Sequence, residues 1–348
     1  MDTNKKRLWS LFQNMDRTEL ESGINRDKNS NILLVDAYNT FIRGWTASPN
    51  MNENGDHTGG ISSFLKSIGY AIKLLKPTRV IIIFDGKGGS QKRRKIYPKY
   101  KNGRKTSLRL NRTYGDSGID NNKSFQKELL RTIKYLDTLP VTTMSVDNIE
   151  ADDVIAYMCT DKFKNNKVTI MSADKDFLQL ANDNVNIWSP TKKKLYGCNE
   201  IYTEYGISCK NFILYRVMDG DKSDNIDGIR GAGLKTILKT FPFLSELNEY
   251  SLKEIYNYAE NHQGKYKIYN TVLENKSTLE RNHQLMQLKE TQIQSFTQLR
   301  IEEIVDVEIP KLNRIVFSKL ITEDQMWNNI PNYQIWLNEC FNNLNNYR

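Results

Sequence analysis

Acidic side chains end three short apolar runs of the sequence. The runs ILLVD, VIIIFD and VTIMSAD finish at Asp36, Asp85 and Asp174. Because the carboxyl ends of parallel strands form the ligand-binding edge of a sheet, these acids should converge from distant parts of the chain. Six further acids accompany them. Glu150, Asp152 and Asp153 stand where a helix is predicted to begin after the run Val141–Val146. Asp176 follows Asp174 by two residues, and Asp221 and Asp224 lie in the segment GDKSDN.

Gathered at one edge, these nine carboxylates would repel one another and raise one another's pKa values. Divalent cations remove that conflict, and oxygen ligands without His or Cys suit Mg²⁺, with Mn²⁺ as a substitute. Two such ions roughly 4 Å apart can activate water and stabilise the leaving oxygen in phosphodiester hydrolysis. A lone Asp after a strand is usually a helix cap or turn residue, so only the joint pattern predicts a metal site.

A basic stretch begins directly after Asp85. Between Lys87 and Arg112 there are eleven Lys or Arg residues and no acid, with Tyr97 and Tyr100 interleaved and Tyr114 just beyond. The cations would hold phosphates, and the tyrosines could stack on unpaired bases. A solvated, disordered loop is the alternative. Because the stretch starts at the acidic edge, we expect a mobile segment that orders on a nucleic-acid substrate.

A glycine-rich turn, residues 228–233, precedes the helix-like segment Leu234–Phe241. Gly231 and Gly233 let a phosphate backbone approach closely, and the amides at a helix N-terminus favour anions. Lys235 and Lys239 add positive charge on one face, one turn apart. Such turns also serve helix packing, but the neighbouring acids of GDKSDN favour a phosphate-binding site.

The cysteines and histidines predict no further chemistry. The four cysteines form no C-x-x-C pair, so we expect buried reduced thiols rather than a zinc site or a disulfide framework: Cys159, Cys198, Cys209 and Cys340. Three histidines stand apart from the acidic motifs, and we expect them on the surface: His57, His262 and His283.

Short apolar runs rich in β-branched residues predict the strands that carry the acids. They are Ile32–Val35, Val80–Phe84, Val141–Val146, Val168–Met171 and Val185–Trp188. Helical patterns separate most of them: Gly60–Leu75, Lys123–Leu136, Ala151–Phe163 and Asp176–Ala181. This alternation predicts an α/β fold with a mainly parallel central sheet and helices on both faces.

Composition divides the 348 residues into three parts. We expect an N-terminal helical extension at 1–24, an α/β domain at 25–210 with a polar insertion at 86–122, and a helical region at 211–348. The net charge of +9 suggests an anionic partner such as nucleic acid. No apolar run is long enough to cross a bilayer, so we expect a soluble cytoplasmic protein without a membrane partner, and a monomer.

Six segments together resemble the flap-endonuclease-like 5′ nuclease superfamily. They are LLVDAYN, IIIFDG, RRKIYPKYKNGR, IEADDVIA, SADKDFLQL and GDKSDNIDGIRGAGLKTI. This group includes the 5′-3′ exonuclease domain of bacterial DNA polymerase I and the phage ribonucleases H, and the segments occur in the family's order. WSPTKKKLYG and the C-terminal region look more like the phage ribonuclease H branch. The resemblance implies a PIN/5′-nuclease-like fold with a basic arch at 86–122 and a helix–three-turn–helix element at about 219–241.

The resemblance also implies a role for individual residues. The first metal would be held by Asp36, Asp85, Glu150 and Asp152. Asp174 would lie between the ions, and the second site would contain Asp176 and Asp221, with Asp153 and Asp224 close by. Lys101 would reach the scissile phosphate. Arg93, Tyr100 and Arg104 match the arch pattern, and Arg94 lies beside it. Arg43 stands where relatives carry a basic residue near the active site.

The function implied is a structure-specific 5′ nuclease with 5′-3′ exonuclease, flap endonuclease and ribonuclease H-like activity, which removes RNA primers in phage DNA replication inside the host cytoplasm. Its substrates would be DNA and RNA–DNA hybrids with 5′ ends or flaps. K⁺ would bind at the helix–three-turn–helix element. A single-strand-binding protein is a further expected partner, and so is a sliding clamp, since Gln334, Leu337 and Phe341 loosely resemble a clamp-binding peptide.

Two other functions are compatible with parts of the sequence. A PIN-like endoribonuclease acting on free RNA would share the acidic edge, but it would not need the glycine turn. A non-catalytic nucleic-acid-binding protein would be expected to have lost metal ligands, yet every acidic motif position is filled.

Overall fold

The computed structural model of the protein describes residues 27–102, 121–291 and 293–347. The predicted extension at 1–24 therefore lies outside the described residues. A six-stranded sheet has the order β3-β2-β1-β4-β5-β6, and only β6 is antiparallel to its neighbour. The strands are β1 Asn31–Asp36, β2 Arg79–Phe84, β3 Thr142–Ser145, β4 Lys167–Met171, β5 Val185–Ser189 and β6 Lys194–Tyr196. The five predicted strands are confirmed.

The register of the central strands brings the acidic positions to one level. Asp36 of β1 lies beside Ile83 of β2, and Val35 lies beside Met171 of β4. The residues Asp85 and Asp174 therefore follow their strands at the same edge as Asp36. All six residues of β2 are buried, as expected for a parallel strand that is covered on both faces.

Helices cover both faces of the sheet, as predicted. In chain order they are α1 Ala37–Ala47, α2 Gly59–Leu75, α3 Gln91–Ile96, α4 Asn121–Leu136, α5 Ala151–Tyr157, α6 Cys198–Tyr205, α7 Phe212–Asp219, α8 Leu234–Thr240, α9 Leu252–Asn261, α10 Lys267–Glu274, α11 Lys276–Met286, α12 Ser295–Asp306, α13 Arg314–Glu323 and α14 Tyr333–Phe341. A π-helical turn, Met158–Lys162, continues α5. A two-stranded ribbon, β7 Gly220–Asp221 and β8 Ile226–Asp227, joins α7 to the glycine turn.

Alternate residues of the strands feed two apolar layers. Leu34 and Ile83 pack with α5 to α12, whereas Val35 and Ile82 pack with α1, α2, α4, α13 and α14. Both layers contain residues from either side of residue 210. The expected division there does not separate two cores.

The C-terminal helix α14 belongs to the second layer. Leu337 and Phe341 are fully buried, and the Trp336 ring lies so close to Gly69 of α2 that an added Cβ would meet it at 2.7 Å. The interpretation of this helix as a clamp-binding peptide is therefore wrong. Its apolar spacing serves packing, which is the more common use of such a pattern at helical period.

His57 is buried at 6% exposure, so the prediction of a surface histidine is wrong for this residue. Its Nδ1 lies 2.5 Å from Glu128 of α4, and its Nε2 lies 2.8 Å from the Ser48 carbonyl. Glu128 also accepts hydrogen bonds from the amides of Gly60 and Ile61. The first amides of a helix lack partners within the helix, and at α2 the Glu128 carboxylate, distant in sequence, accepts their hydrogen bonds.

Cys198 and Cys209 form a disulfide with Cα atoms 5.3 Å apart, so the expectation of reduced thiols is wrong for this pair. Helix α6 and the turn after it fold the chain back on itself, which brings together two cysteines that no motif connects. Cys159 and Cys340 are free and buried, as predicted. Among the described helices, none combines the length and apolar character needed to cross a membrane.

Candidate active site

The first group of acids lies where β1, β2 and β4 end. Asp36 caps α1 by accepting from the Asn39 amide at 3.2 Å, and it accepts from the Ser172 hydroxyl at 2.9 Å. Burial outweighs these hydrogen bonds and, with the charges of Asp174 and Asp85, raises the pKa of Asp36 to about 7. Asp85 accepts from the Ala151 amide at 2.7 Å, which fixes it against the start of α5.

Helix α5 and the segment after β4 complete this group. Asp152 lies in the first turn of α5, where burial and the charges of Asp36, Asp174 and Glu150 raise its pKa well above the usual range despite nearby Lys101. Asp174 caps the 3-10 turn that follows it, by accepting from the Asp176 amide at 2.9 Å. Acids from distant parts of the chain are thus close enough to shift one another's pKa.

Arg216 of α7 joins the remaining acids. Its side chain is 5% exposed, its Nε donates to Asp176 at 2.7 Å, and an Nη donates to Asp221 at 2.8 Å. Burial and the charge of Asp174 outweigh Arg216 and raise the pKa of Asp176 to about 7. For Asp221, hydrogen bonds from Ser223 and the charge of Arg216 outweigh burial and lower the pKa.

Sequence reasoning missed Arg216. The one signal for it was a lone cation within the otherwise apolar segment FILYRV, directly before the acids of GDKSDN. A buried Arg next to acids is usually paired with them, so the signal was available.

Arg93 ties the base of the arch to two acids. It is 7% exposed, and it donates to both oxygens of Asp153 at 2.7 and 2.8 Å, to Glu150, and to the Leu285 carbonyl at 2.8 Å. A guanidinium fork matches a carboxylate in this bidentate way. In this arrangement Arg93 braces α3 against α5 and α11.

Glu150 is the common partner of three arch side chains. The Tyr100 hydroxyl donates to it at 3.2 Å, and the Lys101 ammonium donates at 2.6 Å. Burial would raise the pKa of Glu150, but Arg93 and Lys101 outweigh it and lower the pKa. Tyr100 is only 3% exposed, so the prediction that its ring is available for base stacking is wrong. A hydroxyl that reaches a buried carboxylate explains why this Tyr turns inward.

The other predicted contact residues are exposed. Arg43 lies on α1, Arg94 on α3, and Lys235 and Lys239 on α8. Gly231 has a φ of +87° and Gly233 has open space where a Cβ would be, so both leave the backbone accessible. The backbone carbonyl of Asp224 accepts from the Lys101 amide at 3.0 Å, which joins the arch to GDKSDN. Arg104 lies outside the described residues.

The carboxylates fit a hard divalent cation by their chemistry, since the set contains only oxygen donors and its buried members repel one another. Within residues 27–102, 121–291 and 293–347, no three His, Cys, Asp or Glu side chains form a group that could hold a metal ion as it stands. In the present arrangement Arg93, Lys101 and Arg216 hold four of the nine acids: Glu150, Asp153, Asp176 and Asp221.

The family match on this fold defines a nuclease, a hydrolase of phosphodiester bonds, within the flap-endonuclease-like 5′ nuclease superfamily. Residues 31–206 match the family described as the 5′-3′ exonuclease, N-terminal resolvase-like domain. The chain belongs to this family of 5′-3′ exonucleases. The predicted superfamily, the α/β fold with a mainly parallel sheet and the assignment as a nuclease are confirmed, whereas the basic arch and the helix–three-turn–helix element stay predictions.

Similar proteins include 5′-3′ exonucleases, flap endonucleases and bacterial DNA polymerase I. The 5′-3′ exonuclease of Buchnera aphidicola subsp. Schizaphis graminum is 34% identical over 239 residues, covering 67% of this chain and 75% of the relative. The solved bacteriophage T5 flap endonuclease with DNA and metal ions has a TM-score of 0.59 at 21% identity, covering 85% of this chain and 99% of that one. Flap endonuclease-1 from Methanococcus jannaschii has a TM-score of 0.52 at 17% identity, covering 92% and 95%.

Proposed function

We propose that the protein is a structure-specific 5′ nuclease that hydrolyses phosphodiester bonds near 5′ ends by two-metal-ion catalysis, and that it removes RNA primers during phage DNA replication. The observation that carries this proposal is the group of buried, mutually repelling acids at one sheet edge, directly beside the basic arch. Similar proteins support it, because the T5 flap endonuclease was solved with DNA and metal ions and DNA polymerase I of Thermus aquaticus matches over 217 residues at 31% identity.

Two Mg²⁺ ions, replaceable by Mn²⁺, would be held by the acids. Asp36, Asp85, Glu150 and Asp152 would hold the first ion, and Asp176 and Asp221 the second, with Asp174 between them and Asp153 and Asp224 close by. When bound, the ions supply an activated water and stabilise the leaving oxygen.

The chain's own cations would position the strand. Lys101 leaves Glu150 for the scissile phosphate and offsets its developing charge. The exposed side chains of Arg43 and Arg94 would hold flanking phosphates, while Arg93 keeps the arch base against Asp153.

The substrate is a duplex, DNA or RNA–DNA hybrid, with a 5′ end or flap. The glycine turn and the exposed Lys235 and Lys239 would grip the duplex strand, and K⁺ would bind within the turn. An endoribonuclease acting on free RNA would have no use for this second basic surface. A single-strand-binding protein would act as an accessory partner on the displaced strand.

Cleavage of three 5′-labelled substrates tests the proposal: an RNA–DNA hybrid, a nicked duplex and a flap, each with and without Mg²⁺. We expect all three to be cut near the 5′ end with Mg²⁺ and none in EDTA. Asp174→Asn should lower the rate on the order of 10³-fold while binding is kept, because it removes a shared ligand but little duplex contact. Asp183→Asn is the matched control, because Asp183 is an exposed acid in the same connection between β4 and β5.

Normal turnover by Asp174→Asn would refute the metal assignment. Cleavage of free single-stranded RNA with no preference for 5′ ends would instead favour the endoribonuclease.

A further inference from the structure

A basic cavity of about 650 Å³ lies between α8 and the start of α10. The glycine turn forms one wall of the cavity through Arg230 and Gly231. Among the described residues that line it, every charged side chain is a cation: Arg230, Lys235, Lys239 and Lys267. All four cations are exposed, and the remaining lining is neutral. Such a surface attracts phosphates, because bringing them in releases counterions and buries no acid.

Tyr266 organises the far side of this cavity. The Lys239 ammonium lies 4.8 Å from the Tyr266 ring centroid, and the Lys265 ammonium lies 6.0 Å from it. Both ammonium groups therefore lie within cation–π distance of one aromatic ring. The Tyr269 hydroxyl donates to the Thr240 carbonyl at 2.8 Å and fixes α10 against the last turn of α8. The two helices thus present one continuous surface.

The first turn of α10 adds a further positive feature. Tyr266 is the residue before the helix and makes no side-chain cap, and the Tyr269 amide donates to the Tyr266 carbonyl at 3.2 Å. Tyr266, Lys267 and Ile268 all line the cavity. The positive end of the helix dipole therefore faces the same space as the four cations.

We propose that Lys265, Tyr266 and Lys267 form a second phosphate-binding site, which grips the duplex strand beyond the glycine turn. The proposal rests on the proposed function, since the strand is the duplex part of that substrate. Lys235 lies in the first turn of α8, whereas Lys239 lies in its last turn beside α10. The new site therefore lies next to the last turn of α8, beyond Lys239 as seen from Lys235, and a strand that runs along α8 from Lys235 to Lys239 would reach it next. An open surface of exposed cations suits a chain of phosphates rather than a small enclosed anion.

Salt-dependent binding tests this site. Affinity for a 5′-flap duplex is measured by fluorescence anisotropy in EDTA across a range of KCl concentrations, for the wild type and Lys265→Ala/Lys267→Ala. Each lysine that contacts a phosphate contributes about 1 to the slope of log affinity against log salt, so the double variant should lower its magnitude by about 2. Lys276→Ala is the matched control, because Lys276 lies 5.0 Å from the Tyr256 ring but is already paired with Glu260.

Duplex length gives the second measurement. When the duplex is shortened stepwise, the difference between wild type and double variant should vanish at a length at which Lys235→Ala still weakens binding. An unchanged slope at every length, with cleavage intact, would overturn the second site and leave the proposed function standing. An equal loss on single-stranded DNA would overturn the duplex assignment. Failure of the wild type to cut any 5′-ended duplex would overturn the proposed function itself.

Discussion

A single buried cation holds the second group of acids together. Arg216 pairs with Asp176 and Asp221 at 2.7 and 2.8 Å and lies 3.6 Å from Asp219. Removing one partner of a buried ion pair leaves an uncompensated charge, so we expect Arg216→Gln to lower the unfolding free energy by about 3 kcal/mol. Urea denaturation measures this change. Arg300→Gln is the control, because its pair with Glu303 is exposed and should contribute little.

Mg²⁺ distinguishes pairing from simple packing at this residue. If the acids hold an ion, Mg²⁺ should restore part of the stability that Arg216→Gln loses, because it binds the folded state and supplies the missing charge. An equal loss with and without Mg²⁺ would show that Arg216 acts only on the fold.

For single residues, the sequence predicted the acids better than it predicted the side chains that pair with them. Asp36, Asp85 and Asp174 were visible because each stands at the end of a strand, and strand ends meet by topology alone. Tyr100 was misread because a Tyr within a basic run is indistinguishable, by type, from one that stacks on bases. Its inward position depends on Glu150, fifty residues away in sequence. Side-chain pairing across such distances is fixed by packing, which periodicity does not encode.

Helix α11 connects three parts of the site. Asn282 is fully buried and donates to the carbonyls of Val217 in α7 and Asp227 in β8, at 3.1 and 2.8 Å. Arg281 lies 4.2 Å from the Tyr97 ring at the arch base. Gln179, in the turn that carries Asp176, donates to the Met286 carbonyl at 3.0 Å. The helix therefore sets the position of the glycine turn, the arch base and the acids relative to one another.

We expect Asn282→Ala to lower the single-turnover cleavage rate on the order of 10-fold at saturating enzyme, because small misplacements of reacting groups have large effects on rate. Affinity for the duplex should change less. Gln284→Ala, at an exposed position of the same helix, is the control. If Asn282→Ala lowered the melting temperature but cleaved at the normal rate below it, the helix would be structural only.

The strands were predictable at the scale of elements because apolar runs report burial on both faces. The role of α11 was not, since its segment KSTLERNHQLM is mostly polar and resembles a surface helix. A buried Asn becomes visible only when the carbonyls that it satisfies are known.

Residues at the two ends of the described chain complete one apolar layer. Leu337 and Phe341 of α14 are buried against α2 and its neighbours, whereas Gln334 is exposed. We expect Leu337→Ala and Phe341→Ala each to lower the unfolding free energy by about 2–5 kcal/mol, because each leaves a cavity. Gln334→Ala should have little effect in the same denaturation experiment. If all three variants lowered the unfolding free energy only slightly, α14 would not be packed in the core and could act as an exposed peptide.

The layout of this layer also has a consequence for biosynthesis. Phe41 and Phe64 pack in one layer with Phe317 and Phe341. A ribosome makes the first pair long before the second, so this layer lacks its cover by α13 and α14 until the end of synthesis. Contacts between such distant segments also form slowly, since the chain must close a long loop before packing stabilises it. Nascent chains therefore pass through a stage that favours aggregation and capture by chaperones.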